Sequence, residues 1–537
     1  MKNFDVFGVM LDVSRNGVMR VSEVKKYIDV ISKMGYNALE LYSEDIYKID
    51  GEPYFGYLRG GYTPDEIRET DSYAKERGVE LIPCIQTLAH FTCLKTEPMY
   101  ESLFDIDDVL MIDDDATYAF LEKIFKGLSE TFTSRKVNIG MDEAYSVGLG
   151  KYLRKYGYKD RAETLARHLS GVVGIAEKYG FTCHMWSDMF FRLSGNGKYF
   201  DENGESKPIP DRIRDLIPEN VALTYWDYTN CSSKAYDNIL GLHKDLGREV
   251  WFAGGAWAWR GFSPNNAYSL KTMLPGIKSA VKNGVRNVLI TVWGDDGKDC
   301  SFSAVLPSLY AISRFAEGQY KTKDIKAGFY DLFGIKYDDF ISLDLPGLMK
   351  LGGKFTGEWN CYTKNLFYND CFLGFLDNGI KTYDRLPFSA YARKFRRIAK
   401  TAGEYAYLFD EAAKLSDFLE VKSYLGIETR EAYKSEDKQK LSEVVKKYAL
   451  AEKKLVAFTD SFRKLWFMEN KPHGWEVQEA RLGGLRARIA DCKRRLEDYL
   501  DGKTDRIEEL EEEILPFGYR DRLYYNRYRE TITRGNM

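Results

Sequence analysis

Hydrophobic and polar positions follow two regimes along the chain. In the first 320 residues, short β-branched or apolar runs are separated by longer stretches in which apolar residues recur every three or four positions. The short runs are FDVFGVML (4–11), NALELY (37–42), VELIPCI (79–85), KVNIGM (136–141), FTCHMW (181–186), VALTYW (221–226), EVWFAG (249–254) and NVLITVW (287–293). Between them SEVKKYIDVISKMG, TPDEIRETDSYAKERG and AETLARHLSGVVGIAEKYG read as amphipathic helices ending in glycine, as helix C-termini often do. SAVLPSLYAISRFAEG supplies a closing helix after the eighth run. Eight strand–helix repeats predict an α/β fold, a (β/α)8 TIM barrel. An open doubly wound sheet is the competing fold, but no phosphate-binding GxGxxG follows the first strand.

Beyond about residue 343 the β-branched runs thin out, and Lys, Glu, Arg, Leu and Ala dominate. The segments 388–419, 438–470 and 475–515 read as long helices, so a helical bundle is expected there. The domains are placed at 1–325 (catalytic barrel) and 326–537 (α-helical C-terminal domain), the boundary falling within 316–345. A helical domain of this kind can pack on the barrel or build a homodimer. Within ENKPHGWEVQEARLGGL, Trp475 and Arg481 are either parts of a buried helix turn or groups that reach a neighbour's pocket.

Composition narrows the partners. A net charge of −3 gives no reason to expect nucleic acid or an acidic membrane. No run of about 18 apolar residues suggests a transmembrane helix, and no secretion signal is visible at the start. Eight scattered cysteines without CxxC spacing read as reduced thiols of a cytoplasmic protein. The five histidines make no HxH or HExxH spacing, so neither a metal nor a cofactor is expected. Aromatic residues reach 15%, enough to build walls on which sugar C–H faces stack.

In a (β/α)8 barrel the active site lies at the C-terminal ends of the strands. There this chain places Asp12 and Arg15; Glu44, Asp45 and Tyr47; Gln86 and His90; Asp142 and Glu143; Trp186 and Asp188; Tyr225, Trp226, Asp227 and Tyr228; Trp257 and Trp259; and Trp293, Asp295 and Asp296. Repetition at equivalent positions of successive repeats marks a site. In a regular strand the adjacent acids Asp142 and Glu143 would face opposite ways. They converge only if the strand stops and the chain turns, which Gly140 favours. Otherwise one acid sits in a salt bridge and the other in water.

VNIGMDEAY resembles the strand-four motif of glycoside hydrolase family 20, the β-N-acetylhexosaminidases, in which a Gly-x-Asp-Glu element carries the catalytic pair. LDVSR, YSEDIY, His90, MWSD, TYWDY and VWGDD resemble further motifs of that family in the same order, and the helical C-terminal region resembles a compact bacterial subgroup. Two features differ. The family usually carries a small α/β domain before the barrel, whereas strand one lies almost at the start here, and the usual Gly-Gly-Asp-Glu is Gly-Met-Asp-Glu, with Met141 in place of Gly.

The resemblance implies a glycan or amino-sugar oligosaccharide substrate cleaved with retention. Most retaining glycosidases use two carboxylates about 5 Å apart, but family 20 is a known substrate-assisted exception. The substrate's 2-acetamido oxygen would attack the anomeric carbon. Glu143 would be the acid/base, and Asp142 would hold the acetamide N–H and stabilise the oxazolinium intermediate. His90 and Asp45 would form a relay behind Glu143, with Glu44 the competitor of Asp45. Arg15 and Asp295 would bind sugar hydroxyls, with Asp296 the alternative acid. Trp186, Trp226 and Trp293, with Trp257, would wall the acetamido pocket. Tyr228, in preference to Tyr225, would hydrogen-bond the acetamide oxygen. Two other readings stay open: a conventional two-carboxylate glycosidase with Asp45 or Asp188 as nucleophile, and a non-catalytic glycan-binding or scaffold protein. Taken singly, His90 could be a capped core histidine, Arg15 an interstrand partner of Asp12, and each tryptophan ordinary core.

Overall fold

The eight apolar runs become the eight parallel strands of a closed barrel in the computed structural model, which describes residues 3–195, 197–200, 206–359, 362–517, 523 and 527–535. They are β1 (Val6–Asp12), β2 (Ala38–Ser43), β3 (Glu80–Ile85), β4 (Lys136–Asn138), β5 (Thr182–Trp186), β6 (Val221–Trp226), β7 (Val250–Gly255) and β8 (Asn287–Val292). Neighbours pair in chain order, and β8 closes on β1 with Val6 opposite Asn287 and Leu11 opposite Val292. Seven strands match their sequence runs to within two residues. The fourth is shorter than expected: it stops at Asn138 instead of running to 141, because Gly140 and Met141 take left-handed backbone (φ 70° and 72°) that no strand accommodates.

Alternation along the strands decides what faces the barrel axis. Phe7, Val9 and Leu11 of β1 and Leu39 of β2 belong to the outer layer under the helices. Val6 and Met10, Ala38 and Tyr42, Ile82 and Cys84, and Trp186, Ala222, Trp251, Ala253 and Leu289 form the inner cluster. Among the inner residues sits a fully buried polar layer. His184 Nε2 lies 3.1 Å from Glu40 Oε1, Asn138 Nδ2 donates to Glu40 Oε2 at 3.2 Å, and the imidazole stacks on Trp251 with ring centres 4.0 Å apart.

The outer helices follow from their apolar spacing. Helix Val21–Met34 buries Val24, Tyr27, Ile28, Ile31 and Met34 along one stripe and stops at Gly35, whose φ of 94° suits glycine. Helix Pro64–Glu76 starts with Pro64 and a reciprocal cap between Thr63 and Glu66. Leu306–Ala316 is the closing helix. Helix Thr322–Phe333 then runs through residues 325 and 326, so the boundary expected there cuts a continuous element; its Phe329 packs on Tyr310 and on Phe340.

The C-terminal region is mainly helical, as predicted, with two long segments broken. The expected helix at 388–419 divides into Phe388–Ala399 and Ala406–Lys422 around Gly403 (φ 54°), and the last long helix, Trp475–Leu500, stops before Gly502 (φ 73°). Helix Lys438–Glu469 is continuous. A two-stranded hairpin, Lys350–Leu351 with Lys354–Phe355, turns on Gly352 and Gly353, both at positive φ, a turn the helical reading of this region missed. No helix among the described residues is long and apolar enough to cross a membrane.

This region is bolted to the C-terminal face of the barrel. Lys364 is fully buried, with its ammonium 2.7 Å from Asp296 and 2.8 Å from Asp299 in the loop after β8. Arg481 donates to the Asp296 carbonyl (2.7 Å) and carboxylate (3.1 Å), and Gln478 donates to Gly297 and Asp299. Trp475 is buried against Phe462 and Trp466, so the buried-turn reading of this helix holds within the chain. Removing one partner of a buried, hydrogen-bonded charge cluster leaves the others unpaired, at about 3–5 kcal/mol. Lys364→Met is therefore expected to lower unfolding stability by about 3–5 kcal/mol in urea titration, whereas Lys326→Met, which removes the exposed Lys326–Asp338 pair, leaves the midpoint essentially unchanged.

Candidate active site

The strand-end residues continue the inward alternation past the last ladder bond. Trp186, Trp226 and Trp293 stand on the same parity as the inner residues below them, and with Tyr42, Trp257, Trp259, Tyr228 and Trp359 they form one aromatic cup. Trp186 and Trp293 lie 6.2 Å apart, Trp293 meets Tyr42 edge-on at 4.8 Å, Trp226 stacks on Tyr228 at 5.3 Å, and Trp257 stacks on Trp259 at 4.4 Å. The indole N–H of Trp257 holds the Tyr228 carbonyl at 3.1 Å, while the Tyr228 hydroxyl lies against Thr291 and Trp293. Tyr225 is excluded from the cup: its hydroxyl is buried on Asp227 at 2.6 Å. Asp227 is itself occupied by the backbone amides of Thr229 and Asn230.

The adjacent acids do converge. Gly140, Met141 and Glu143 all have positive φ (70°, 72° and 52°), so the chain winds left-handed as it leaves β4. Asn138 Oδ1 accepts from the Gly140 amide (3.1 Å), and the Gln86 side chain accepts from the Met141 amide (3.2 Å) while donating to Asp142 Oδ1 (2.8 Å). A Cβ at Gly140 would collide with that Gln86 amide. Met141 adopts the left-handed region without glycine's freedom, a strain of order 1–3 kcal/mol, and its side chain is completely buried.

The outcome is that both carboxylates approach one imidazole. His90 Nε2 stands 3.1 Å from Asp142 Oδ2 and 3.8 Å from Glu143 Oε2. Asp142 has 11% of its side chain exposed and Glu143 40%, so one acid floors the site and the other stands at its mouth. Burial disfavours a charged His90, but the Asp142 carboxylate outweighs it and lifts the imidazole to about 9. Burial would likewise raise Asp142, yet His90 and Gln86 hold it below the usual carboxylate range. Tyr145 donates its hydroxyl to Glu143 Oε1 at 2.8 Å.

The expected relay from Asp45 through His90 is not what the structure shows. Asp45 is taken by Arg59, which also donates to the Ser14 carbonyl. The second-strand acid that acts on His90 electrostatically is Glu44. Glu44 accepts from Arg15 Nε at 3.0 Å and from the Tyr42 hydroxyl at 3.2 Å, and Tyr42 accepts from Gln86. Arg15 also reaches Asp295 at 3.3 Å. Its partners are thus Glu44 and Asp295; the Asp12 carboxylate instead ties the end of β1 to the Gly294 amide at 2.9 Å. Asp296 points away into the C-terminal region, which leaves Asp295 as the acid at the site. Asp188 is fully buried behind Glu143, with Arg192 on Oδ2 at 2.9 Å. Burial and the charge of Asp142 lift it to about 6 against the pull of Arg192.

Tyr42, Tyr145, Arg192 and Trp359 belong to the site without having been singled out from sequence. Tyr42 could have been found by extending the parity of Ala38 and Glu40. Trp359, 5.9 Å from Trp257, lies in a distant segment and carried no such signal.

Two family profiles match the chain. That described as the catalytic domain of glycosyl hydrolase family 20 matches residues 4–240, and that described as the C-terminal domain of Glycoside Hydrolase 20C matches residues 338–527. The chain belongs to glycosyl hydrolase family 20. Among curated relatives, human hexosaminidase D is 22% identical over 219 residues, covering 39% of this chain and 42% of its own length. A β-hexosaminidase of Vibrio furnissii is 36% identical over 110 residues, covering 17% of this chain and 18% of its own. The chain therefore matches less than half the length of either. Among solved structures, the family 20 exo-β-N-acetylglucosaminidase of Vibrio harveyi aligns with a TM-score of 0.46 at 16% identity, over 62% of this chain and 58% of that one.

In this family 20 chain the His90–Asp142 couple has a consequence for stability. The folded state binds the imidazole proton more tightly than the unfolded chain, whose histidine titrates near 6.5. The stabilisation is complete below about pH 6.5 and is lost as pH rises through about 9. Urea midpoints measured across that window should fall for the parent and stay flatter for His90→Gln.

Proposed function

We propose that the protein is a retaining exo-β-N-acetylhexosaminidase that removes terminal β-linked GlcNAc or GalNAc from glycans, the substrate's own acetamide oxygen acting as nucleophile. The observation that carries this reading is the approach of two sequence-adjacent carboxylates to the same His90 nitrogen beside an aromatic cup. Adjacent acids then address adjacent atoms of one sugar: the amide at C2 and the glycosidic oxygen at C1.

In the first step the Glu143 carboxyl gives its proton to the glycosidic oxygen as the C1–O bond breaks, and the acetamide oxygen bonds to C1 from the opposite face. Asp142 accepts the acetamide N–H and faces the positive charge of the resulting oxazolinium; its pairing with His90 and Gln86 keeps it ionised for that task. In the second step the Glu143 carboxylate takes a proton from water, the water oxygen attacks C1, and the acetamide is released. Two inversions give retention. The Tyr228 hydroxyl donates to the acetamide oxygen, the indoles of Trp186, Trp226, Trp257 and Trp293 enclose its methyl group, and Arg15 with Asp295 binds distal hydroxyls.

The conventional two-carboxylate mechanism finds no free nucleophile in the acids proposed for it. Asp188 has no accessible surface, and Asp45 is paired with Arg59. We further propose a cytoplasmic enzyme, supported by the free thiols of Cys84, Cys183, Cys371 and Cys492, and a homodimer, supported by the resemblance to the compact bacterial subgroup.

Three measurements test the catalytic reading. Glu143→Gln should lose about 10²–10⁴-fold in kcat/KM on an N-acetylglucosaminide with a poor leaving group. Asp142→Asn should slow release of N-acetyl sugars by a similar order; because it also takes away the charge partner of His90, its unfolding midpoint should fall at neutral pH, and activities are compared where both proteins are folded. A thiazoline mimic of the oxazolinium ion should inhibit strongly. Indifference to the thiazoline together with parental activity of both variants would overturn the reading.

A further inference from the structure

Behind Glu143 lies a cluster that the mechanism above does not use. Asp188 starts the helix Asp188–Ser194, and Arg192, one turn on, donates from Nε to Asp188 Oδ2. The Arg192 guanidinium lies 5.2 Å from the ring centre of Tyr145, 5.6 Å from that of Tyr199 and 5.9 Å from that of Trp226. Tyr145 sits on the loop after β4 with half its surface exposed, and its hydroxyl donates to Glu143 Oε1 at 2.8 Å. The second oxygen of Asp188 is buried with no hydrogen-bond partner among the described residues, and its first makes only a long contact (3.5 Å) with the Glu143 amide besides Arg192.

This arrangement is costly for the fold. An acid with one unpaired oxygen, buried beside two other acids, carries a desolvation and repulsion penalty that an apolar residue would avoid. What it secures is a guanidinium fixed in one place, stacked on the tyrosine that grips the acid at the mouth of the site.

We infer that Tyr145, braced by the Asp188–Arg192 pair, is the positioning residue that aims the Glu143 carboxyl at the leaving-group oxygen. The inference rests on the assignment of Glu143 as acid/base under the proposed function. Glu143 is 40% exposed, and its own backbone is left-handed; besides Tyr145, its carboxyl meets only the longer 3.8 Å approach of His90 Nε2 among the described residues. The Tyr145 hydroxyl touches the carboxyl oxygen directly, while Asp188 and Arg192 act through the ring. Because Tyr145 donates, its bond favours the carboxylate that deprotonates water in the second step. When Glu143 carries its proton, the same hydroxyl can reverse its role and accept that proton as a hydrogen-bond acceptor, so the contact survives both halves of the cycle.

The test compares two N-acetylglucosaminides in kcat/KM, which reports the steps up to cleavage of the C1–O bond: one with an alkyl leaving group that needs a proton, one with a dinitrophenyl group that departs without it. Tyr145→Phe keeps the ring on Arg192 and removes only the hydroxyl. It is expected to lose about tenfold or more on the alkyl glycoside and less than about twofold on the dinitrophenyl one, with an unchanged thermal midpoint. Arg192→Lys, which keeps the charge on Asp188 but not the guanidinium over the Tyr145 ring, should show the same asymmetry, reduced. Equal losses on both substrates, or no loss on either, would overturn the inference, and Tyr145→Phe decides it even if the partly buried Arg192 variant fails to fold. If Glu143→Gln itself shows no such asymmetry, the acid/base assignment has failed and the inference falls with it. If Glu143→Gln shows the asymmetry and Tyr145→Phe does not, the inference alone is wrong.

Discussion

The left-handed turn that ends β4 is the constraint on which the site depends. Two neighbouring residues of an extended strand cannot present their side chains to the same small volume. Here the strand is cut at Asn138, and positive φ at 140, 141 and 143 swings the second acid round beside the first. The bonds that hold this winding come from within the barrel: Asn138 on one amide and Gln86 on the next, with Glu40 and His184 fixing Asn138 from below. The buried polar layer at the barrel axis thus acts as a foundation for the turn, which makes a cost in core hydrophobicity intelligible.

Charge is arranged around that turn in alternation. Arg15 lies between Glu44 and Asp295, His90 beside Asp142 and Glu143, and Arg192 on Asp188. Every buried acid at the site has a cation or an amide on at least one oxygen. The hydrogen-bonded path from Arg15 through Glu44, Tyr42 and Gln86 to Asp142 joins the Arg15–Asp295 end of the site to the Asp142–His90 end. Burial then separates the two acids of the pair: the enclosed Asp142 is kept ionised by His90 and Gln86, and Glu143 stands half-exposed at the mouth of the site.

Most of the barrel was legible in the sequence because each strand is an uninterrupted apolar run followed by a helix of clear period. The site was legible where side chains follow strand parity, as at Trp186, Trp226 and Trp293. It was less legible where geometry depends on the turn itself. The text DE does not tell that both acids face inward; the hydrogen bonds of Gln86 and Asn138 do. Choosing between Glu44 and Asp45 required knowing that Arg59 returns from its own loop to occupy Asp45. The break at Gly403 and the Gly352–Gly353 turn were visible as glycines, but a helical composition around them concealed what they do.

Asp295 and Asp296 are neighbours in sequence with opposite allegiances: the first belongs to the Arg15 guanidinium at the candidate site, the second to Lys364 and Arg481 of the helical region. One peptide unit therefore transmits between the two halves of the molecule. Loosening the helical region would displace the carboxylate that holds Arg15 by way of a single peptide unit, so the barrel cannot be treated as a self-sufficient body with an accessory attached. The geometry of the candidate site and the mechanical integrity of the whole chain are, at this point, the same property.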